Sequence, residues 1–126
     1  MDKTKILYVD DEDINLMLFS KLFGKKYDII TAKSGDDGIE KLSNDPEIKM
    51  IVSDMRMPGM NGIEFIQLVK ARSPELKCFI LTGYDITSEI SEALNKKVIE
   101  RHFTKPFVFD FDSIQEAFEK ALKNDR

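Results

Sequence analysis

Five side chains suited to holding a cation or a phosphoryl group stand at four well-separated places in this 126-residue chain, each at the end of a stretch that reads as a strand. Asp10 and Asp11 close the run KILYV and are followed by Glu12. Consecutive acids repel one another unless a cation or water offsets their charge. Asp54 ends the stretch MIVSD, ahead of Pro58-Gly59 and Asn61-Gly62, residues that favour a loop with special backbone dihedrals. Thr82 follows CFIL, and Lys105 stands in TKPF. The carboxylates could converge on a hard divalent cation. Magnesium suits an incomplete cage because it retains several waters. A lysine is a compact cation for one phosphoryl or carboxylate oxygen, and Thr82 offers a small hydroxyl donor. A metal, an ammonium and a hydroxyl around one carboxylate suit phosphoryl transfer, which needs mostly positioning and offset of charge on the equatorial oxygens. The carboxylate can itself be the nucleophile, giving an acyl phosphate.

Convergence requires strands that end on one edge. Apolar runs predict strands over 5–9, 27–32, 50–53, 77–81 and 98–103. Between them, helical spacing places Ile14, Met17, Leu18 and Leu22 on one face of a first helix, with Asp13 as its N-cap and Gly24 as its end. A second helix opens at Ser34-Gly35, carries Ile39 and Leu42, and closes at Asn44-Asp45-Pro46. A third runs from about Ile63 to Ala71 with Phe65, Ile66 and Val69 inward. A fourth covers about Thr87 to Asn95, with Ile90 and Leu94 in and Glu89 and Glu92 out. The last starts near Asp112-Ser113 and buries Ile114, Ala117, Phe118, Ala121 and Leu122. Five strand–helix alternations predict an α/β fold, a parallel sheet with helices on both faces. Right-handed crossovers then bring all five strand ends, and with them the reactive side chains, to one edge. In open α/β sheets chemistry sits at that edge.

Composition narrows the classes. A length of 126 residues fits one domain, expected over 1–126, and 42% hydrophobic with 33% charged residues is a globular balance. A net charge of -4 without a basic stretch argues against a nucleic-acid surface. The single Cys78, inside LKCFIL, rules out an internal disulfide, suits a reducing cytoplasm, and reads as a buried structural thiol. No signal peptide and no membrane-length apolar run is legible, so a cytoplasmic protein without membrane contact is expected.

The motifs VDDE, SDMRMPGMNG, LTGY and TKPF, in this order on successive strand ends, resemble the receiver (CheY-like) domain of two-component response regulators over essentially the whole chain. The resemblance implies a doubly wound (βα)5 sandwich with strand order 2-1-3-4-5. It also implies that Asp54 takes a phosphoryl group from a phosphohistidine on a sensor histidine kinase or phosphotransfer protein. Asp11 and Asp54 would bind Mg2+ directly with the backbone carbonyl of Arg56, and Asp10 mainly through water. Thr82 would turn toward the phosphoryl group and Lys105 would hold one of its oxygens, with Lys105-Pro106 a cis peptide. Arg56 and Tyr84, each two positions past a key residue, would tune attack by water. Output would pass through the fourth and fifth helices to an output domain or partner protein, a homodimer being one form. The chain would be no enzyme beyond catalysing its own phosphorylation and dephosphorylation.

One position departs from the family. Three residues before the lysine the family has Tyr or Phe as a switch ring; here stands His102, with Phe103 beside it on the opposite strand face. Because an imidazole gains charge on mild acidification, a switch built on His102 would make the coupling pH-sensitive. A phosphatase of the haloacid-dehalogenase type is excluded by Arg56, where that chemistry needs an acid, and by the absence of a cap segment. A flavodoxin-like carrier is excluded because Asp10-Asp11-Glu12 would repel a flavin phosphate. A receiver that docks or dimerises without phosphorylation stays as the alternative.

Overall fold

The computed structural model describes residues 3–83 and 86–123. The elements are β1 (Lys5–Val9), α1 (Asp13–Phe23), β2 (Asp28–Ala32), α2 (Gly35–Asn44), β3 (Ile48–Asp54), α3 (Gly62–Arg72), β4 (Lys77–Thr82), α4 (Ser88–Asn95), β5 (Arg101–Thr104), a 3-10 turn (Phe107–Asp110) and α5 (Phe111–Lys123). The strands pair in parallel in the order β2-β1-β3-β4-β5, the order the resemblance implies.

Side chains alternate across a strand with period two, so each strand feeds two cores. Ile6, Tyr8, Met50, Val52, Phe79, Leu81 and Phe103 face α1 and α5. Leu7, Val9, Ile51, Cys78 and Ile80 face α2, α3 and α4. The central strands are buried on both faces, which is why their sequence is a continuous apolar run rather than an alternating one. Cys78 is buried, and desolvation pushes its thiol up to about 12. Among the described residues no helix is long and apolar enough to cross a membrane.

Four expectations are corrected. The first helix buries Leu16, Phe19 and Phe23, while Ile14, Met17 and Leu18 are exposed, Ile14 at 64%. This helix is apolar nearly all round, so its spacing admits two stripes. The stripe with the aromatic rings wins because Phe19 stacks on Tyr8 at 4.0 Å and Phe23 packs against Phe118, and aromatic side chains bury the most area. Asp13 is the first helical residue and not the cap. Glu12 occupies the cap position but its side chain makes no capping bond to the helix backbone, and Asp13 instead pairs with Lys33 at 3.1 Å.

The last two corrections concern strand limits. β5 begins only at Arg101 because the amides of residues 96–99 are spent closing α4, and Glu100, whose N–H donates to the Cys78 carbonyl, is the first to reach β4. Lys96 N–H donates to Glu92, Lys97 N–H to Leu94 and Val98 N–H to Ala93, with Lys97 at φ 60°. β2 begins at Asp28 because Tyr27 N–H returns to the Phe23 carbonyl at the end of α1.

Candidate functional site

The carboxyl edge of the sheet gathers residues from four strand ends. Asp10 follows β1, Asp54 ends β3, Thr82 ends β4 and Lys105 follows β5. The loops are tied into the sheet by backbone bonds. Met55 N–H donates to Leu81, and Lys105 N–H to the Thr82 carbonyl at 2.8 Å. After Asp54 the chain turns sharply and starts α3 with a capping box, in which Asn61 accepts from Glu64 N–H and Glu64 accepts from Asn61 N–H. The turn closes through Gly62 N–H to the Met55 carbonyl. A Cβ at Gly62 would lie 2.4 Å from the Asp54 carbonyl oxygen, so only glycine permits this approach. The Lys105-Pro106 peptide is cis.

Asp10, Asp54 and Thr82 are buried and Asp11 is exposed, so the site is an acidic floor with one acid at its mouth. Lys105 bridges the floor, its Nζ 3.1 Å from Asp54 Oδ2 and 3.2 Å from Asp10 Oδ2. Burial raises the Asp54 proton affinity, Asp10 and Asp11 raise it further, and Lys105 opposes them; the net value is about 6. For Lys105 burial works against the charge, but Asp54 and Asp10 prevail and its pKa is raised. One oxygen from each of Asp10, Asp11 and Asp54 lies within 4.8 Å of the others, an oxygen set that fits a hard divalent cation. From this floor an open cleft of about 680 Å³, lined by Arg56, Met57, Asn61, Thr82, Thr87 and Glu89, leads to the start of α4.

Residues 6–119 match the family model of the response regulator receiver domain. The chain belongs to the response regulator receiver family. Among its relatives, sporulation initiation phosphotransferase F of Bacillus subtilis is 32% identical over 97% of this chain and 96% of its own length. The hydrogenase transcriptional regulatory protein HoxA of Cupriavidus necator is 30% identical over 95% of this chain. This receiver spans only 25% of HoxA and 27% of the transcriptional regulators ZraR. The response regulator TrrA from Thermotoga maritima, solved in complex with Mg2+–BeF, superposes with a TM-score of 0.76 at 28% identity, covering 96% of this chain and 99% of that one.

Of the receiver positions singled out in the sequence, Asp10, Asp11, Asp54, Thr82 and Lys105 come together at the edge, and Arg56 lines the cleft beside them. His102 is half-buried on β5, paired in register with Ile80, while Phe103 turns into the opposite core. Tyr84 lies outside the described residues. One participant was missed. The Tyr8 hydroxyl donates to Asp10 Oδ2 at 2.6 Å, and Glu12 N–H donates to Asp10 Oδ1 at 3.0 Å. The signal was available: Tyr8 carries a polar tip inside KILYV and stands two positions before Asp10, on the same strand face.

Proposed function

We propose that this receiver is a phosphoacceptor switch in which Asp54 takes a phosphoryl group from the phosphohistidine of a sensor histidine kinase or phosphotransfer protein in the cytoplasm. The carrying observation is a buried carboxylate bridged to Lys105 at 3.1 Å, with Asp11 at the open mouth. An Asp54 oxygen attacks phosphorus, a P–O bond forms, the P–N bond to imidazole breaks, and the electron pair leaves with the imidazole nitrogen, which is reprotonated. Although raised, the Asp54 pKa of about 6 leaves the nucleophile ionised at neutral pH.

Asp11, Asp54 and the Arg56 carbonyl would hold Mg2+, whose positive charge offsets that of the phosphoryl oxygens. Asp10, whose oxygens already accept from Tyr8, Glu12 and Lys105, would act through water. Lys105 holds one phosphoryl oxygen and Thr82 donates to another. Arg56 and Tyr84 govern access of water to the acyl phosphate. His102 serves as the ring that moves with Thr82. The change is passed through the cleft to α4 and the β5–α5 face, toward an output domain, a partner protein or a second copy.

The exposed Ile14, Met17 and Leu18 on α1 support a docking surface for the phosphodonor beside the acidic mouth. Relay to a further protein is the form suggested by the phosphotransferase relative, which this chain matches along nearly its full length. Mass spectrometry after incubation with acetyl phosphate and Mg2+ tests the reading. One added phosphoryl group on wild type, absent in Asp54→Asn and with chelator, is expected. If wild type neither gains it nor binds beryllofluoride, the chain is a docking module that works without phosphorylation.

A further inference from the structure

We infer that Tyr8 is a positioning residue of the acidic site, whose hydroxyl holds Asp10 so that Lys105 is free to follow the phosphoryl group. The inference rests on the phosphoacceptor reading of Asp54. Asp10 is fully buried and uses both oxygens: Oδ1 accepts from Glu12 N–H, and Oδ2 accepts from the Tyr8 hydroxyl at 2.6 Å and from Lys105 Nζ at 3.2 Å. Lys105 is therefore shared between Asp10 and Asp54. During transfer it must leave this ground-state arrangement and meet an oxygen that is only then arriving.

A short hydrogen bond from a neutral hydroxyl to a carboxylate is charge-assisted and strong. It lowers the electron density that Oδ2 offers to Lys105, so the Asp10–Lys105 pair is the weaker for it. When Lys105 turns to the phosphoryl oxygen, Tyr8 stays behind and keeps Asp10 satisfied, because a buried carboxylate stripped of its partners is costly. The hydroxyl can do this because its ring cannot swing. Tyr8 is stacked on Phe19 of α1 at 4.0 Å, and Phe107, two residues past Lys105, meets it edge-on at 6.2 Å. Thus the same aromatic cluster that sets the α1 packing also sets the orientation of Asp10. Packing alone does not account for a hydroxyl here, since phenylalanine would fill the same space.

The test compares initial rates of phosphorylation by acetyl phosphate in wild type, Tyr8→Phe, Phe19→Leu and Asp54→Asn across a Mg2+ titration. Tyr8→Phe is expected to lower the maximal rate roughly tenfold, the scale of one hydrogen bond to a charged group. The Mg2+ concentration giving half the maximal rate should stay within about twofold, because Asp11 and Asp54 are untouched. Phe19→Leu, which loosens the cluster but keeps the hydroxyl, should lower the melting temperature more than Tyr8→Phe and slow the reaction less.

A Tyr8→Phe rate equal to wild type, or a loss that merely tracks melting temperature across both variants, would overturn the role of Tyr8 and leave Asp54 as phosphoacceptor. A wild type that neither gains a phosphoryl group nor binds beryllofluoride would overturn both. A readout on wild-type protein alone guards against a misfolded variant. The Tyr8 hydroxyl proton, slowed in exchange by burial, should move downfield in proton NMR when Mg2+ and beryllofluoride draw Lys105 away. An unmoved resonance refutes the idea.

Discussion

Replacing Asp54 by asparagine should stabilise the protein, by an amount that depends on pH. Asp54 is 6% exposed, with Asp10 and Asp11 beside it and one ammonium, Lys105, shared with Asp10. Burial and the two acids outweigh Lys105 and move its pKa from 3.8 to about 6. The folded state thus binds the Asp54 proton more tightly than the unfolded chain does. Its stabilising effect is complete below pH 3.8 and is lost as pH rises toward 6, after which the ionised carboxylate carries a constant cost. At about 1.4 kcal/mol per pH unit, that cost is about 3 kcal/mol at pH 7.5 and about 1 kcal/mol at pH 4.5.

Asparagine keeps the shape and never carries the charge. Urea unfolding of wild type and Asp54→Asn in chelator should therefore show the variant ahead by about 3 kcal/mol at pH 7.5 and about 1 kcal/mol at pH 4.5. Carboxylates remote from Asp54 are common to both proteins and cancel in the difference. Adding Mg2+ at pH 7.5 should shrink the gap, since a cation bound to the native state stabilises wild type by linkage. A gap that does not change with pH, or a wild type more stable at pH 7.5, would refute the electrostatic account.

Further outcomes follow from particular contacts. Gly62→Ala should cost about 1–3 kcal/mol in urea unfolding and slow phosphorylation, because its Cβ meets the Asp54 carbonyl at 2.4 Å and displaces that strand end. Tyr27→Phe should be neutral or stabilising by up to about 1 kcal/mol, since the buried Tyr27 hydroxyl has no hydrogen-bond partner among the described residues; a loss above that would contradict it. Met17→Glu, on the exposed stripe of α1, should change stability by no more than about 0.5 kcal/mol and leave phosphorylation by acetyl phosphate intact. The same variant should slow transfer from a phosphohistidine protein, measured by loss of its radiolabel.

Element order was legible because each segment announces itself locally. KILYV, MIVSD and KCFIL are short apolar runs that form buried strands, and Ser34 and Thr87, where helices were expected to open, act as N-caps. The limits that went astray are those where one element takes hydrogen bonds from its neighbour. Val98 and Ile99 read as strand, but their amides close α4, and no propensity of valine or isoleucine records that competition. The face of α1 failed for a related reason. An all-round apolar helix has no stripe of its own, and the choice fell to the rings waiting at Tyr8, Phe107 and Phe118.

By itself, then, the sequence determined which reactive residues exist and that they stand at the ends of four parallel strands, because period, chain direction and handedness suffice to bring strand ends to one edge. The tertiary structure decided how those residues share one another. Lys105 and Asp10 are 95 positions apart, and their 3.2 Å contact depends on the register of strands laid side by side. Only packing shows that Asp10 is buried while Asp11 is exposed, that one ammonium serves two carboxylates, and that Tyr8 turns its hydroxyl onto Asp10. Those facts live in side-chain distances of a few ångströms between distant segments, which no local pattern encodes.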